Sequence, residues 1–263
     1  MDIPVESPLL VAVLSSLLVG TLATAVGALP ILAFRSPGER LTTHLLAFAA
    51  GVMLAACFFS LLLPALEGVR MREPGGTARS AAVVAFFGLG GWLVWWLNRM
   101  APHEHFVRGV ESADRTRLAR VWLFVIAIAL HNVPEGIATG VGSASGDTRI
   151  AMSIMLGIGM QNVPEGLAVA AGLAHAGYRR RAAFGVAALS GLVEPAGALL
   201  GGLAIAQAAG MLPLALAFAA GAMLWVVSGE VIPETHRAGA ESSATAALFV
   251  GFAGMMMMDA ATS

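Results

Sequence analysis

Residues 131–136 read HNVPEG, and thirty residues later 161–166 read QNVPEG. Both stretches lie inside long apolar runs, where a histidine, an amide, a carboxylate and a proline are all costly. Aligned over 131–142 and 161–172, "HNVPEGIATGVG" and "QNVPEGLAVAAG" agree at seven of twelve positions. Only a short loop separates them, and consecutive membrane spans run in opposite directions. The two motifs therefore come head to tail at one depth, the arrangement of inverted-repeat transporters.

The rest of the chain fits a membrane setting. Of 263 residues 58% are hydrophobic and only 12% charged, with mean hydropathy +0.81. A soluble domain has roughly 45–50% apolar and about 25% charged residues. The composition is that of an all-α polytopic membrane protein, and residues 1–263 read as one transmembrane domain. Abundant glycine and alanine suit helices that pack closely in lipid. The formal net charge of −1 gives no reason to expect nucleic acid as a partner. A single cysteine, Cys57, excludes an internal disulfide and a cysteine-cluster zinc site. The N-terminal "MDIPVES" lacks the positive region of a secretory signal, so the first apolar run is expected to be a retained span.

A helix needs about 20 apolar residues to cross a bilayer. Eight spans are expected, at 8–34, 41–66, 80–98, 120–142, 149–174, 182–208, 211–235 and 244–259. All fifteen basic residues are arginine. Eleven of them (Arg35, Arg40, Arg99, Arg108, Arg115, Arg117, Arg120, Arg179, Arg180, Arg181 and Arg237) fall in alternate loops on one side. Four (Arg70, Arg72, Arg79 and Arg149) fall on the other. The positive-inside rule makes 99–119 a cytoplasmic loop and puts both termini on the periplasmic or extracellular side of a cell (inner) membrane. Trp92, Trp95, Trp96 and Trp122 flank that loop, as an aromatic belt would.

Within each motif the polar groups share a helix face. His131 and Glu135 are one turn apart, Asn132 and Glu135 are i and i+3, and Gln161, Asn162 and Glu165 repeat the spacing. Pro134 and Pro164 leave the carbonyls of Leu130 and Met160 without their helical donors, and a kink is expected at each. A third carboxylate, Glu194, precedes Pro195 in "SGLVEPAGA". A carboxylate at the centre of a membrane helix costs about 2.5–3.5 kcal/mol on insertion scales. Three together, with no arginine in those spans, would repel one another, and a bound divalent cation would balance them. Imidazole, carboxylate and amide oxygen together form a zinc-like ligand set. Interhelical hydrogen bonding and a proton relay through protonated glutamates are the alternative readings.

These residues resemble the ZIP family (Zrt/Irt-like proteins) of divalent-metal transporters, and its bacterial GufA-like branch in particular. HNVPEG, QNVPEG and SGLVEP resemble the motifs of the family's spans 4, 5 and 6, and "GAMLWVVSGEVIPE" resembles its span 7. The resemblance implies an inverted repeat of spans 1–3 and 6–8 around the span 4/span 5 pair. It implies a two-metal site. His131, Glu135, Gln161 and Glu165 would hold the first ion, with Met53 nearby. Asn132, Asn162 and Glu194 would hold the second, and Glu135 and Glu165 would bridge. Some family members carry Asp at the place of Asn162 and His at that of Gln161. A bundle of spans 1, 4, 5 and 6 would move against spans 2, 3, 7 and 8.

The expected function is transport of zinc into the cytoplasm by alternating access. Cadmium, iron(II), manganese and cobalt suit the same ligands. A proton-coupled carrier of another substrate is the alternative. No HExxH pair exists, so no metalloprotease chemistry is expected. Partners are the metal ions and the lipid bilayer, with a homodimer left open. His44, Ser60, Glu67, His103, His105, Glu230, Glu234 and His236 are candidate pathway residues. The run Met255–Met258 reads as packing, since consecutive helical residues diverge.

Overall fold

A computed structural model describes residues 8–33, 38–72, 77–100, 129, 131–175, 177–236 and 241–262. Among these residues the chain is helical, with no strand. We label the helices α1 (Pro8–Ala33), α2 (Arg40–Val69), α3 (Thr77–Met100), α4 (131–144), α5 (Thr148–His175), α6 (Arg180–Gln207), α7 (Leu212–His236) and α8 (Glu241–Thr262). Six of them, all except α4 and α5, are long and apolar enough to cross a membrane. The described part of α4 is short, and α5 carries the polar motif at its middle. The expected span 4 begins at 120, outside the described residues. His103, His105 and Trp122 also lie outside them.

Glycines set which helices touch. A Cβ on Gly166 (α5) would fall 2.0 Å from the carbonyl oxygen of Thr24 (α1), and one on Gly27 (α1) 1.9 Å from that of Val163 (α5). The same reciprocal pattern joins α4 to α6, where Gly136 faces the Glu194 carbonyl at 2.1 Å and Gly197 faces that of Val133 at 2.6 Å. It joins α2 to α8 through Gly51 and Leu248, Gly251 and Phe48, and α3 to α7 through Gly90 and Phe218, Gly221 and Phe87. Backbones this close leave no room for any side chain, and this is how small residues associate helices in lipid. The α2 and α7 contacts sit on a further repeat, "LAFAAGVML" at 46–54 and "LAFAAGAML" at 216–224.

The prolines behave differently from one another. The helix runs unbroken from Thr148 to His175 through Pro164, so the kink expected there does not interrupt it. Helix α6 is interrupted, by a turn at Gly191–Leu192 between Arg180–Ser190 and Val193–Gln207. Pro195 has no N–H for the Gly191 carbonyl, and the Glu194 N–H bonds Gly191 O at 3.3 Å. The carbonyls freed by this turn find side-chain donors. Thr21 Oγ1 donates to Gly191 O at 2.8 Å and Asn132 Nδ2 to Ser190 O at 2.8 Å. Thr21→Val is expected to cost about 0.6–2 kcal/mol, the range for interhelical hydrogen bonds in membranes. The readout is the unfolding temperature in detergent, and an unchanged value would show that Thr21 does not hold the break.

Three π-helical stretches, Leu17–Leu22 in α1, Ala56–Leu62 in α2 and Val227–Val231 in α7, had no counterpart in the sequence reading. Such turns misalign the carbonyl ladder and occur often at functional sites. In α1 the Val19 carbonyl accepts from Asn162 Nδ2 at 3.0 Å. The connection from α4 to α5 turns at Gly146, whose φ of +76° suits glycine, and Asp147 caps α5 by accepting from the Arg149 N–H at 2.9 Å. Trp92, Trp95 and Trp96 are exposed on α3, as a belt residue must be. Met255 is buried while Met256 and Met257 are exposed, so the methionine run does not converge.

Candidate metal site

Helices α4, α5 and α6 bring their polar motifs into one buried cluster. Glu135, Glu165 and Glu194 are each no more than 2% exposed, and Asn132, Gln161 and Asn162 no more than 1%. Among the described residues no arginine pairs with any of the three carboxylates. Gln161 Nε2 donates to Glu135 Oε1 at 2.7 Å, tying α5 to α4. Asn162 Nδ2 donates to Glu194 Oε1 at 3.0 Å, tying α5 to α6. Helix α1 closes the cluster from behind. A Cβ on Gly20 would lie 2.1 Å from Glu194 Oε2, so any larger residue there would push that carboxylate aside.

The amides are oriented alike. Each NH2 group of Asn132, Gln161 and Asn162 donates to a protein acceptor, that of Asn162 to two. Each amide oxygen is left buried with no donor. Eight acceptor atoms are in this condition: His131 Nδ1, Asn132 Oδ1, Glu135 Oε2, Gln161 Oε1, Asn162 Oδ1, both Glu165 oxygens and Glu194 Oε2. A buried acceptor without a donor costs about 1–3 kcal/mol, more when charged. So many acceptor atoms facing no donor make a set of groups suited to a cation.

His131 is 4% exposed and reaches α7, with Nε2 2.8 Å from Glu230 Oε2. With Nε2–H donating to that carboxylate, neutral imidazole keeps its lone pair on Nδ1. Among the described residues no three His, Cys, Asp or Glu side chains cluster as an ion site by themselves. The acceptors here are carboxylates interleaved with amides. Met53 is buried in an apolar group with Leu46, Ala50, Ala168, Ala222 and Val226.

The other pathway candidates scatter. Ser60 is 2% exposed, 2.7 Å from Ser153 Oγ, and donates to Asp259 Oδ1 at 3.3 Å. Ser153 Oγ also donates to Asp259 Oδ1, so one cluster joins α2, α5 and α8. His44 Nδ1 lies 2.6 Å from the Arg40 carbonyl, and Glu67 is exposed at the far end of α2. His236 contacts the Ile232 carbonyl at 2.8 Å and Thr245 Oγ1 at 3.2 Å. Glu234 is half-buried near the end of α7. Sequence reading did not find Ser153, Asp259, Ser190 or Thr21, because each bonds a residue more than fifty positions away.

A helical bundle that is apolar outside and holds donorless oxygens within is a multi-pass membrane protein with a buried polar cluster at its centre. Residues 102–259 match the family model described as ZIP Zinc transporter. The chain is 48% identical over 247 residues to zinc transporter ZIPB of Bordetella bronchiseptica, covering 92% of this chain and 78% of that one. It is 41% identical over 245 residues to zinc transporter GufA of Myxococcus xanthus, covering 93% and 96%. It is 33% identical over 317 residues to human zinc transporter ZIP11, covering 90% and 93%. The chain belongs to the ZIP family.

Proposed function

We propose that this protein carries zinc across the cell membrane into the cytoplasm by alternating access through a binuclear site in α4, α5 and α6. The observation that carries the reading is the shared orientation of the three amides. Each NH2 donates to a protein acceptor, and the three amide oxygens are left without donors together with both Glu165 oxygens and one oxygen each of Glu135 and Glu194. His131, Glu135, Gln161 and Glu165 hold the first ion. Asn132, Asn162 and Glu194 hold the second, with Glu135 and Glu165 bridging. Glu230 fixes the His131 tautomer, as carboxylates do for metal-binding histidines. Cadmium, iron(II), manganese and cobalt are further substrates by the same ligand chemistry.

Eight spans with both termini outside complete the reading. The reciprocal glycine contacts support an inverted repeat, because each contact of α1 with α5 has a counterpart between α6 and α4, and each of α2 with α8 has one between α7 and α3. They also support two moving bodies. No glycine of α1, α4, α5 or α6 meets the backbone of α2, α3, α7 or α8 this closely. The test is purified protein in liposomes with a metal-sensitive dye inside and several ions outside. Absence of zinc uptake under every ion and pH gradient would overturn the proposal.

Two outcomes are expected from that assay. His131→Ala lowers zinc uptake more than manganese uptake, since imidazole favours zinc over harder ions; equal losses would make His131 structural. Uptake falls as external pH drops, because protons compete with the metal for ligand lone pairs. The metal-binding form is the deprotonated one, so binding is favoured at higher pH and lost as the ligands take up protons. Uptake that rises with acid would favour the proton-coupled carrier.

A further inference from the structure

Ser60 and Glu230 hold the same place in the repeat of α2 and α7, six residues after "LAFAAGVML" and "LAFAAGAML". Both lie in π-helical stretches, Ala56–Leu62 and Val227–Val231. Both reach across to the bundle of α1, α4, α5 and α6. Glu230 Oε2 meets His131 Nε2 of α4 at 2.8 Å, and Ser60 Oγ lies 2.7 Å from Ser153 Oγ of α5. The helices met, α4 and α5, are themselves the pair that carries the duplicated motif. The two ties are therefore counterparts, and they lie toward opposite ends of the bundle.

The tie at Ser60 has a third member. Ser60 Oγ donates to Asp259 Oδ1 of α8 at 3.3 Å, and Ser153 Oγ donates to the same oxygen. That oxygen already has two donors, unlike the donorless oxygens of the metal cluster. One helical turn further in, each of the three positions has an apolar counterpart: Ala56 on α2, Gly157 on α5 and Met255 on α8. A Cβ on Gly157 would lie 2.9 Å from Met255 Cε and 3.1 Å from Ala56 Cβ, and Met255 is fully buried. The next turn of α5 carries Gln161. A polar layer thus sits over an apolar one, and both stand between the metal cluster and the side where α2 and α8 end and α5 begins.

We propose that Ser60, Ser153 and Asp259 form a latch between the two bodies, which shuts that side of the protein and releases once in each transport cycle. The inference rests on the two-body reading proposed above, and on the eight-span reading the latched side is the outer one. Within each body, glycines lock backbone against backbone. Across this boundary α5 meets its neighbours through hydroxyls, a carboxylate and the tip of a methionine. Hydrogen bonds of this kind near helix ends are readily exchanged for bonds to water, since the net gain of each over water is small.

The experiment uses the full chain in liposomes with the single cysteine replaced, Cys57→Ala. In Ser60→Cys with Ser153→Cys, diamide is expected to join the two thiols in metal-free protein, to lower zinc uptake at least 10-fold, and a reductant to restore it. Neither single cysteine variant should respond to diamide. In a second measurement, made without metal, Ser60→Cys is treated with a membrane-impermeant thiol reagent. Adding Ser153→Ala, which removes the tie from α5 without changing charge, should speed modification several-fold. Adding Ser228→Ala, an exposed hydroxyl that bonds its own helix, should not. Thiols that fail to join, a joined protein that still takes up zinc at the reduced rate, or modification no faster with Ser153→Ala each overturns the latch. If the parent takes up no zinc, the zinc reading falls, and the thiol rates still decide the latch.

Discussion

Glu165→Ala lowers zinc uptake into liposomes by on the order of 100-fold or more, while the protein still inserts and purifies as a folded species. Loss of even an outer-shell partner of a metal ligand typically costs 10–100-fold, and Glu165 is placed as a ligand to both ions. It is also the carboxylate with neither oxygen hydrogen-bonded. Removing it therefore breaks no protein hydrogen bond and should leave the fold in place. Glu135→Ala is expected to match it in transport and to lose stability as well, because Gln161 Nε2 then lacks its acceptor. Glu241→Ala, an exposed position at the start of α8, serves as the control. Near wild-type zinc uptake by Glu165→Ala would end the binuclear reading.

Asn162→Asp has the second large effect, and the geometry gives it a sign. Asn162 Nδ2 donates to two oxygens, Glu194 Oε1 and the Val19 carbonyl, each at 3.0 Å. An aspartate oxygen in that place meets a carboxylate and a carbonyl with no proton between them. Two unit charges 3 Å apart repel by roughly 5 kcal/mol at an effective dielectric constant of 20. Without metal the variant should be markedly less stable than the parent. With metal the fourth carboxylate balances two divalent ions, so affinity or stoichiometry rises and release slows, since conduction needs binding weak enough to leave. Elemental analysis, unfolding temperature with and without zinc, and liposome turnover together test this. A variant unchanged in all three would place Asn162 away from any ion and remove the second site.

The paired motif announced itself in the sequence because its spacing is local. His131 with Glu135 and Gln161 with Glu165 share a face by helical geometry alone, and Glu194 stood out by its cost in an apolar run. The interruption of α6 was half legible. Pro195 marks it, but Pro164 carries the same chemical signal and is absorbed into an unbroken helix. What separates them is Thr21 and Asn132, donors on other helices that occupy the carbonyls near Pro195. The repeat at 46–54 and 216–224 is legible as a repeat, but without a polar residue it carries no chemical signal. The π-helical stretches and the pairing of His131 with Glu230 were out of reach. The first have no compositional signature, and the second joins residues 99 positions apart.

The common orientation of Asn132, Gln161 and Asn162 bears on which abundant ion is kept out. Their oxygens are held in place by what their nitrogens do, so an arriving ion meets dipoles that are already aligned and have little freedom to swing away. Such a lining replaces a hydration shell and does not share it. Magnesium is small, demands near-ideal octahedral geometry and gives up its water reluctantly. Zinc accepts four ligands of mixed kind and sheds water more readily into nitrogen and carboxylate donors. On the zinc reading proposed above, such a lining would disfavour magnesium by the work of dehydration, without a single repulsive charge.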